Sequence, residues 1–84
     1  MLRLAENVRS SQTPDGAIIL DIRGGRMFTF NATGSRILRM LEAGTAKEEI
    51  VLRLIRECSA DPATAESDAG DFLAVLQAHG LLAV

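Results

Sequence analysis

The chain reads as an α+β domain in which a three-stranded antiparallel sheet is followed by three helices. Three observations lead there. Up to residue 30, apolar residues alternate or cluster in short β-branched runs, separated by Pro14-Asp15-Gly16 and Gly24-Gly25. From Asn31 onward they recur at helical three- and four-residue spacing. Between the two regimes, Gly24-Gly25-Arg26-Met27-Phe28-Thr29-Phe30-Asn31-Ala32-Thr33-Gly34 passes from a tight turn through a strand straight into a helix. A strand placed last in a sheet can lie at its edge, and a bare edge can accept another strand.

Leu2, Leu4 and Val8 fall on alternate positions and predict a first strand over residues 2–9. The polar run from Ser10 to Gly16 is expected to end it, with Pro14 fixing its own φ and Gly16 free to adopt a positive one. Ala17 to Ile22 is the clearest strand, and its Ile18, Leu20 and Ile22 are expected to face the core. Gly24-Gly25 is read as the centre of a two-residue hairpin turn. Met27 to Phe30 return as the third strand, with Phe28 and Phe30 on one face and Met27 and Thr29 on the other.

Asn31 or Thr33 caps the first helix, whose apolar stripe is Ile37, Leu38 and Leu41. Gly44 suits the reversal that follows. Thr45-Ala46-Lys47-Glu48 has the form of a capping box, opening a second helix that buries Ile50, Val51, Leu54, Ile55 and Cys58. Asp61-Pro62 opens the third helix, with Asp as N-cap and Pro at the first helical position. Its inward positions are Ala65, Ala69, Phe72, Leu73 and Leu76. Gly80 stops it, and Leu81-Leu82 pack back onto the core. These helices can form the three-helix core of a winged helix-turn-helix, although the sheet comes from the front rather than from a hairpin behind.

At 84 residues this is one domain, 1–84, with 48% hydrophobic residues for a single core filled mainly by aliphatic side chains. A net charge of −2 provides no strong field, which counts against duplex nucleic acid. The one cysteine excludes an internal disulfide and fits a reducing compartment. No apolar run is long enough for a bilayer or a signal peptide, so a cytoplasmic protein without membrane contact is expected.

The candidates for chemistry are few. One His and one Cys cannot supply a metal-ligand set, and Gly24-Gly25 lacks the lysine and helix of a phosphate loop. No nucleophile–base pair can be assembled, so no enzymatic activity, cofactor or metal is expected. Cys58 on the apolar stripe is read as a buried thiol, and His79 as a complement to a helix C-terminus. Asp68 and Asp71 flank the apolar stripe of the third helix on the side of Val75 and His79, a border able to line a groove. Arg23 and Arg26 flank the turn before the third strand. Leu52 falls on the polar side of the second helix.

The order and spacing of several segments resemble the PqqD family and, more broadly, the recognition elements that bind ribosomally made precursor peptides, lasso-peptide leader-binding proteins included. These are Asp15 to Ile22, Gly25 to Gly34, Ile37-Leu38, Thr45 to Ile50, and the pattern from Asp68 through Phe72 and Leu76 to Gly80-Leu81-Leu82. The family often has an aromatic residue where Met27 stands and an aliphatic one where Phe30 stands. The resemblance implies a winged-helix-like domain that binds a precursor's leader by β-strand addition to the third strand. It implies an edge at Arg26, Met27, Phe28, Thr29 and Phe30, and a wall of Asp68, Asp71, Phe72, Val75, Leu76 and His79. It further implies a maturation enzyme as partner: a radical SAM enzyme, a cyclase or a leader peptidase. The alternatives are a winged-helix DNA-binding regulator, which wants a basic recognition helix, and a homodimer formed through the same edge. Residues 62–79 contain neither Lys nor Arg.

Overall fold

The computed structural model describes residues 3–83. Five strands and three helices follow in the order β1 (Arg3–Leu4), β2 (Val8–Thr13), β3 (Gly16–Asp21), β4 (Arg26–Phe30), α1 (Ala32–Glu42), α2 (Lys47–Glu57), α3 (Pro62–Ala78) and β5 (Leu82–Ala83). Strands β2, β3 and β4 form the expected three-stranded antiparallel meander, and β4 is the third strand of the sequence reading. The short β1 pairs with β5 near the other end of the chain.

The expected first strand is split. Leu2 lies outside the described residues, Arg3 and Leu4 belong to β1, and β2 runs from Val8 through the polar residues expected to form a turn. Polar side chains are tolerated there because they have a partner: Ser10 Oγ donates to Glu42 at 2.8 Å, and Gln12 Nε2 also bonds Glu42. The turn is confined to Pro14-Asp15, since Thr13 already pairs with Gly16. Conversely, the Gly24-Gly25 turn is wider than two residues. Asp21 pairs with Arg26, leaving Ile22 to Gly25 as the loop, with only Gly25 at positive φ.

Strand β3 has the opposite phase to that expected. Ala17, Ile19 and Asp21 are buried, whereas Ile18 and Leu20 are each 41% exposed and Ile22 60%. Both faces of this strand carry apolar residues, so alternation alone cannot choose between them. Its neighbour decides. Ile19 lies opposite Phe28 and Ala17 opposite Phe30, and directly opposed residues share a face. Both phenylalanines are half-buried against the helices, so Ile19 and Ala17 must face the same way.

Asn31 caps α1 by accepting from the Gly34 N–H at 3.0 Å, and Asp61 caps α3 by accepting from Thr64 at 3.1 Å. Helices α1 and α3 end alike. The N–H groups of Thr45 and Leu81 return to the carbonyls of Met40 and Leu76, with Gly44 and Gly80 at φ 83° and 70°. That left-handed step is open to glycine at little steric cost. It also explains why the capping box does not form. Thr45 is committed to the end of α1, so α2 starts one residue later from Ala46, without a side-chain cap.

The core gathers Val8, Ala17 and Ile19 from the sheet and Ile37, Leu38 and Leu41 from α1. Ile50 and Leu54 come from α2, and Ala65, Ala69, Phe72, Leu73 and Leu76 from α3. Leu81 closes it from below, and Leu82 packs partly buried beside it. Val51 and Ile55 are half-buried rather than buried. Cys58 is exposed, because α2 ends at Glu57 and the chain turns away through Ser59 at φ 53°. Leu52 is exposed as expected.

Two stability measurements check this packing. Ile19→Thr should lower unfolding free energy by about 2–4 kcal/mol, whereas Leu20→Thr on the outer face should change it by less than about 1 kcal/mol in urea titrations. Ser59→Gly should raise it by roughly 0.5–1 kcal/mol by relieving the left-handed strain.

Candidate functional site

The far side of β4 has no strand partner among the described residues. Which backbone groups face that open side follows from one bond beside it. The Ile22 N–H donates to the Asn7 carbonyl at 2.9 Å, which directs Ile22, and by alternation Leu20 and Ile18, towards β2. Asp21, Ile19 and Ala17 therefore bond towards β4, where they meet Arg26, Phe28 and Phe30. The N–H and C=O groups of Met27 and Thr29 are left pointing out from the edge.

Helix α3 stands beside this edge and runs antiparallel to it. Phe30 packs on Phe72 with ring centroids 4.9 Å apart, and Phe28 on His79 at 4.8 Å. Between strand and helix lies an open groove of about 240 Å³. Phe30, Phe72 and Val75 give it apolar walls, Ile37 and Gly34 of α1 lie beneath, and Asp68 and Asp71 stand at its rim. Gly34 permits the close approach. A Cβ there would come within 2.7 Å of the Phe30 Cβ and 3.4 Å of the Phe72 ring.

The other end of the edge is fixed by a buried carboxylate. Asp21, 5% exposed, accepts from Asn7 Nδ2 at 2.8 Å, from the Gly24 N–H at 3.0 Å and from Arg26 Nη2 at 2.8 Å. The same Arg26 Nη2 donates to the His79 carbonyl at 2.9 Å, and the guanidinium carbon lies 5.5 Å from the centre of the Phe28 ring. One arginine thus ties the start of β4 to the end of α3. Hydrogen bonds from Arg26, then Gly24 and Asn7, hold the Asp21 carboxyl below its ordinary value of 3.8, against burial, which raises it.

The sequence-predicted residues divide accordingly. Phe30, Asp68, Asp71, Phe72 and Val75 come together around the groove. Arg26, Phe28 and His79 meet at the other end of β4, outside the groove lining. Met27 and Thr29 point their side chains to the outer face, and Met27 is 63% exposed. Leu76 is a correction: it is fully buried in the core, because it lies on the helix stripe turned towards α1 and α2. Sequence reasoning missed Asn31, Thr33, Gly34 and Ile37 as lining residues. Their signal was the direct passage of strand into helix, which seats the first turn of α1 under the groove. Among the described residues no group of three His, Cys, Asp or Glu is placed to hold a metal ion, and no helix is long and apolar enough to cross a membrane.

The family model of coenzyme PQQ synthesis protein D (PqqD) matches residues 16–82, from the start of β3 to β5. The chain belongs to the PqqD family. Two solved structures resemble this PqqD-family chain over nearly its whole length. One is TbiB1 in complex with the TbiA(beta) leader peptide, 38% identical with a TM-score of 0.86, covering 95% of this chain and 93% of that one. The other is a lasso peptide synthetase B1 complexed with the leader peptide, 25% identical with a TM-score of 0.87, covering 99% of this chain and 98% of that one. No curated protein matches the chain.

The Asp21 cluster makes a pH prediction. A carboxyl held lower in the folded state stabilises it above the unfolded value, and that contribution is lost as pH falls through the folded one. Wild-type melting temperature should therefore drop steeply below about pH 4, and Asp21→Asn should remove part of that acid dependence while lowering stability at neutral pH.

Proposed function

We propose that this protein binds the leader region of a ribosomally synthesised precursor peptide by strand addition to β4, without acting on it chemically, and presents it to a maturation enzyme. The observation that carries the reading is the open edge of β4 beside a groove with apolar walls. Met27 and Thr29 offer two N–H and two C=O groups in the spacing of a sheet ladder. In β-augmentation such groups supply affinity, and pockets for alternate side chains supply selectivity. A disordered leader loses conformational freedom on binding, and a preformed strand limits how much must be ordered. The leader-peptide complexes of TbiB1 and of the lasso peptide synthetase B1 support the same assignment.

The maturation enzyme has a separate surface available. Ile18, Leu20 and Met27 leave an exposed apolar patch on the outer face of the sheet, with Ile22 next to it in the loop. A strand added to β4 would extend that face, so an enzyme seated there would lie against the leader itself. The DNA-binding alternative wants a basic recognition helix, and α3 carries no Lys or Arg. A cytoplasmic setting suits the exposed Cys58 thiol.

Proline substitution tests the edge directly. Thr29→Pro removes an outward N–H and leaves the β3 ladder intact, so the fold should persist by circular dichroism while leader affinity falls more than about tenfold. In an NMR titration of the wild type, the Met27 and Thr29 amides should shift most. Binding that leaves them unmoved would sink strand addition. Leu20→Glu should preserve leader affinity but slow leader processing by the maturation enzyme.

A further inference from the structure

The charges around the groove are unevenly distributed. Asp68 and Asp71 are three residues apart on α3, which places their Cβ atoms roughly 5–6 Å apart on one side of the helix. Both line the groove and are exposed, and neither has a salt bridge or side-chain hydrogen bond among the described residues. Glu66, earlier on the helix, is 3.7 Å from Lys47. The N-cap and first two turns of α1 contribute Asn31, Thr33, Gly34 and Ile37, none of them charged. Arg26 lies outside the lining and is 2.8 Å from Asp21. The groove lining therefore holds two carboxylates and no cation, in a chain whose whole net charge is only −2.

Those carboxylates rise directly from apolar surface. Val75, 41% exposed, lies one helical turn beyond Asp71 and shares the groove with Phe30 and Phe72. A side chain with an apolar stem and a cationic head fits that sequence of surfaces, its methylenes on Val75 and Phe30 and its charge at the rim. One cation between the two carboxylates would also relieve their mutual repulsion.

We infer that Asp68 and Asp71 select for a lysine or arginine in the leader, next to the apolar residue that enters the groove. The inference rests on the strand-addition reading and narrows its substrate class to leaders with a basic residue at that register.

The test uses the TbiA(beta) leader peptide and a set of its variants with each position changed in turn to Lys and to Glu. Fluorescence anisotropy would measure their binding to wild type and to a D68N/D71N double variant at low and high salt. One position, or two on the same side of the strand, should favour Lys over Glu by about five- to tenfold in wild type. The preference should shrink at high salt and vanish in the double variant, whose melting temperature should match wild type. A preference absent from wild type, or persisting in the double variant, overturns the inference. If the Met27 and Thr29 amides still shift in that case, strand addition survives and only charge selection falls. Peptides that fail to bind wild type, or bind without moving those amides, overturn strand addition and the inference together.

Discussion

The site depends on keeping a carboxylate buried at the end of β3. Asp21 is enclosed, and N–H groups from three directions converge on it and favour its charged form. Asn7 comes from before β2, Gly24 from the loop, and Arg26 from the start of β4. The partners thus come from the segment ahead of β2, from the β3–β4 loop and from β4 itself. A buried unpaired charge is strongly unfavourable, so the arrangement holds as a unit. Arg26 then extends the unit by its bond to the His79 carbonyl, where α3 ends. The distance between strand edge and helix is set at one end by this bridge and at the other by Phe30 against Phe72. The groove opens at the second of these points, around Phe30 and Phe72 and against the start of α1.

From that constraint follows a division of labour between backbone and side chains. The outward groups of β4 are the N–H and C=O of Met27 and Thr29, which any sequence would supply. Recognition through them is insensitive to most single side-chain changes on the strand itself. Under the strand-addition proposal, selectivity would come from what stands beside the edge: the pair of phenylalanines, Val75 and the acidic residues of the groove. The outer sheet face, with Ile18, Leu20 and Met27 exposed, belongs to neither group. It is the face that a leader strand would enlarge, so a partner seated on it could sense whether the edge is occupied.

Features carried by local chemistry were legible in the sequence. Asn31 and Asp61 were readable as caps because a side-chain oxygen at a helix start has one evident task. The α3 stripe from Ala65 to Leu76 was readable because its three- and four-residue spacing runs over several turns. The strand at Arg26–Phe30 was bracketed by a glycine turn and a helix cap. Features set by tertiary partners were not legible. The phase of β3 turns on Phe28 and Phe30, residues of another strand, and the isoleucines of both faces look alike. The bulkier set pointed outward, and Asp21, the least core-like residue of the strand, pointed in because its partners come from elsewhere in the chain. Cys58 continued an i, i+4 stripe on paper, but α2 stops one residue short of it. Leu76 belonged equally to groove and core by helical wheel, and only the placement of α1 and α2 assigns it to the core.

The same geometry bears on why an open edge need not be a liability. Bare strand edges invite pairing with copies of themselves, and proteins usually blunt them with charge, brevity or cover. Here β4 is five residues long and begins with an arginine held in place by Asp21. Helix α3 runs beside it and presents Val75 and two carboxylates along the line an incoming strand would follow. In the strand-addition proposal, an extended peptide would lie between strand and helix. In that proposal the same wall would serve two ends, selecting the peptide and covering the edge against a second copy, with Arg26 bridging strand and helix.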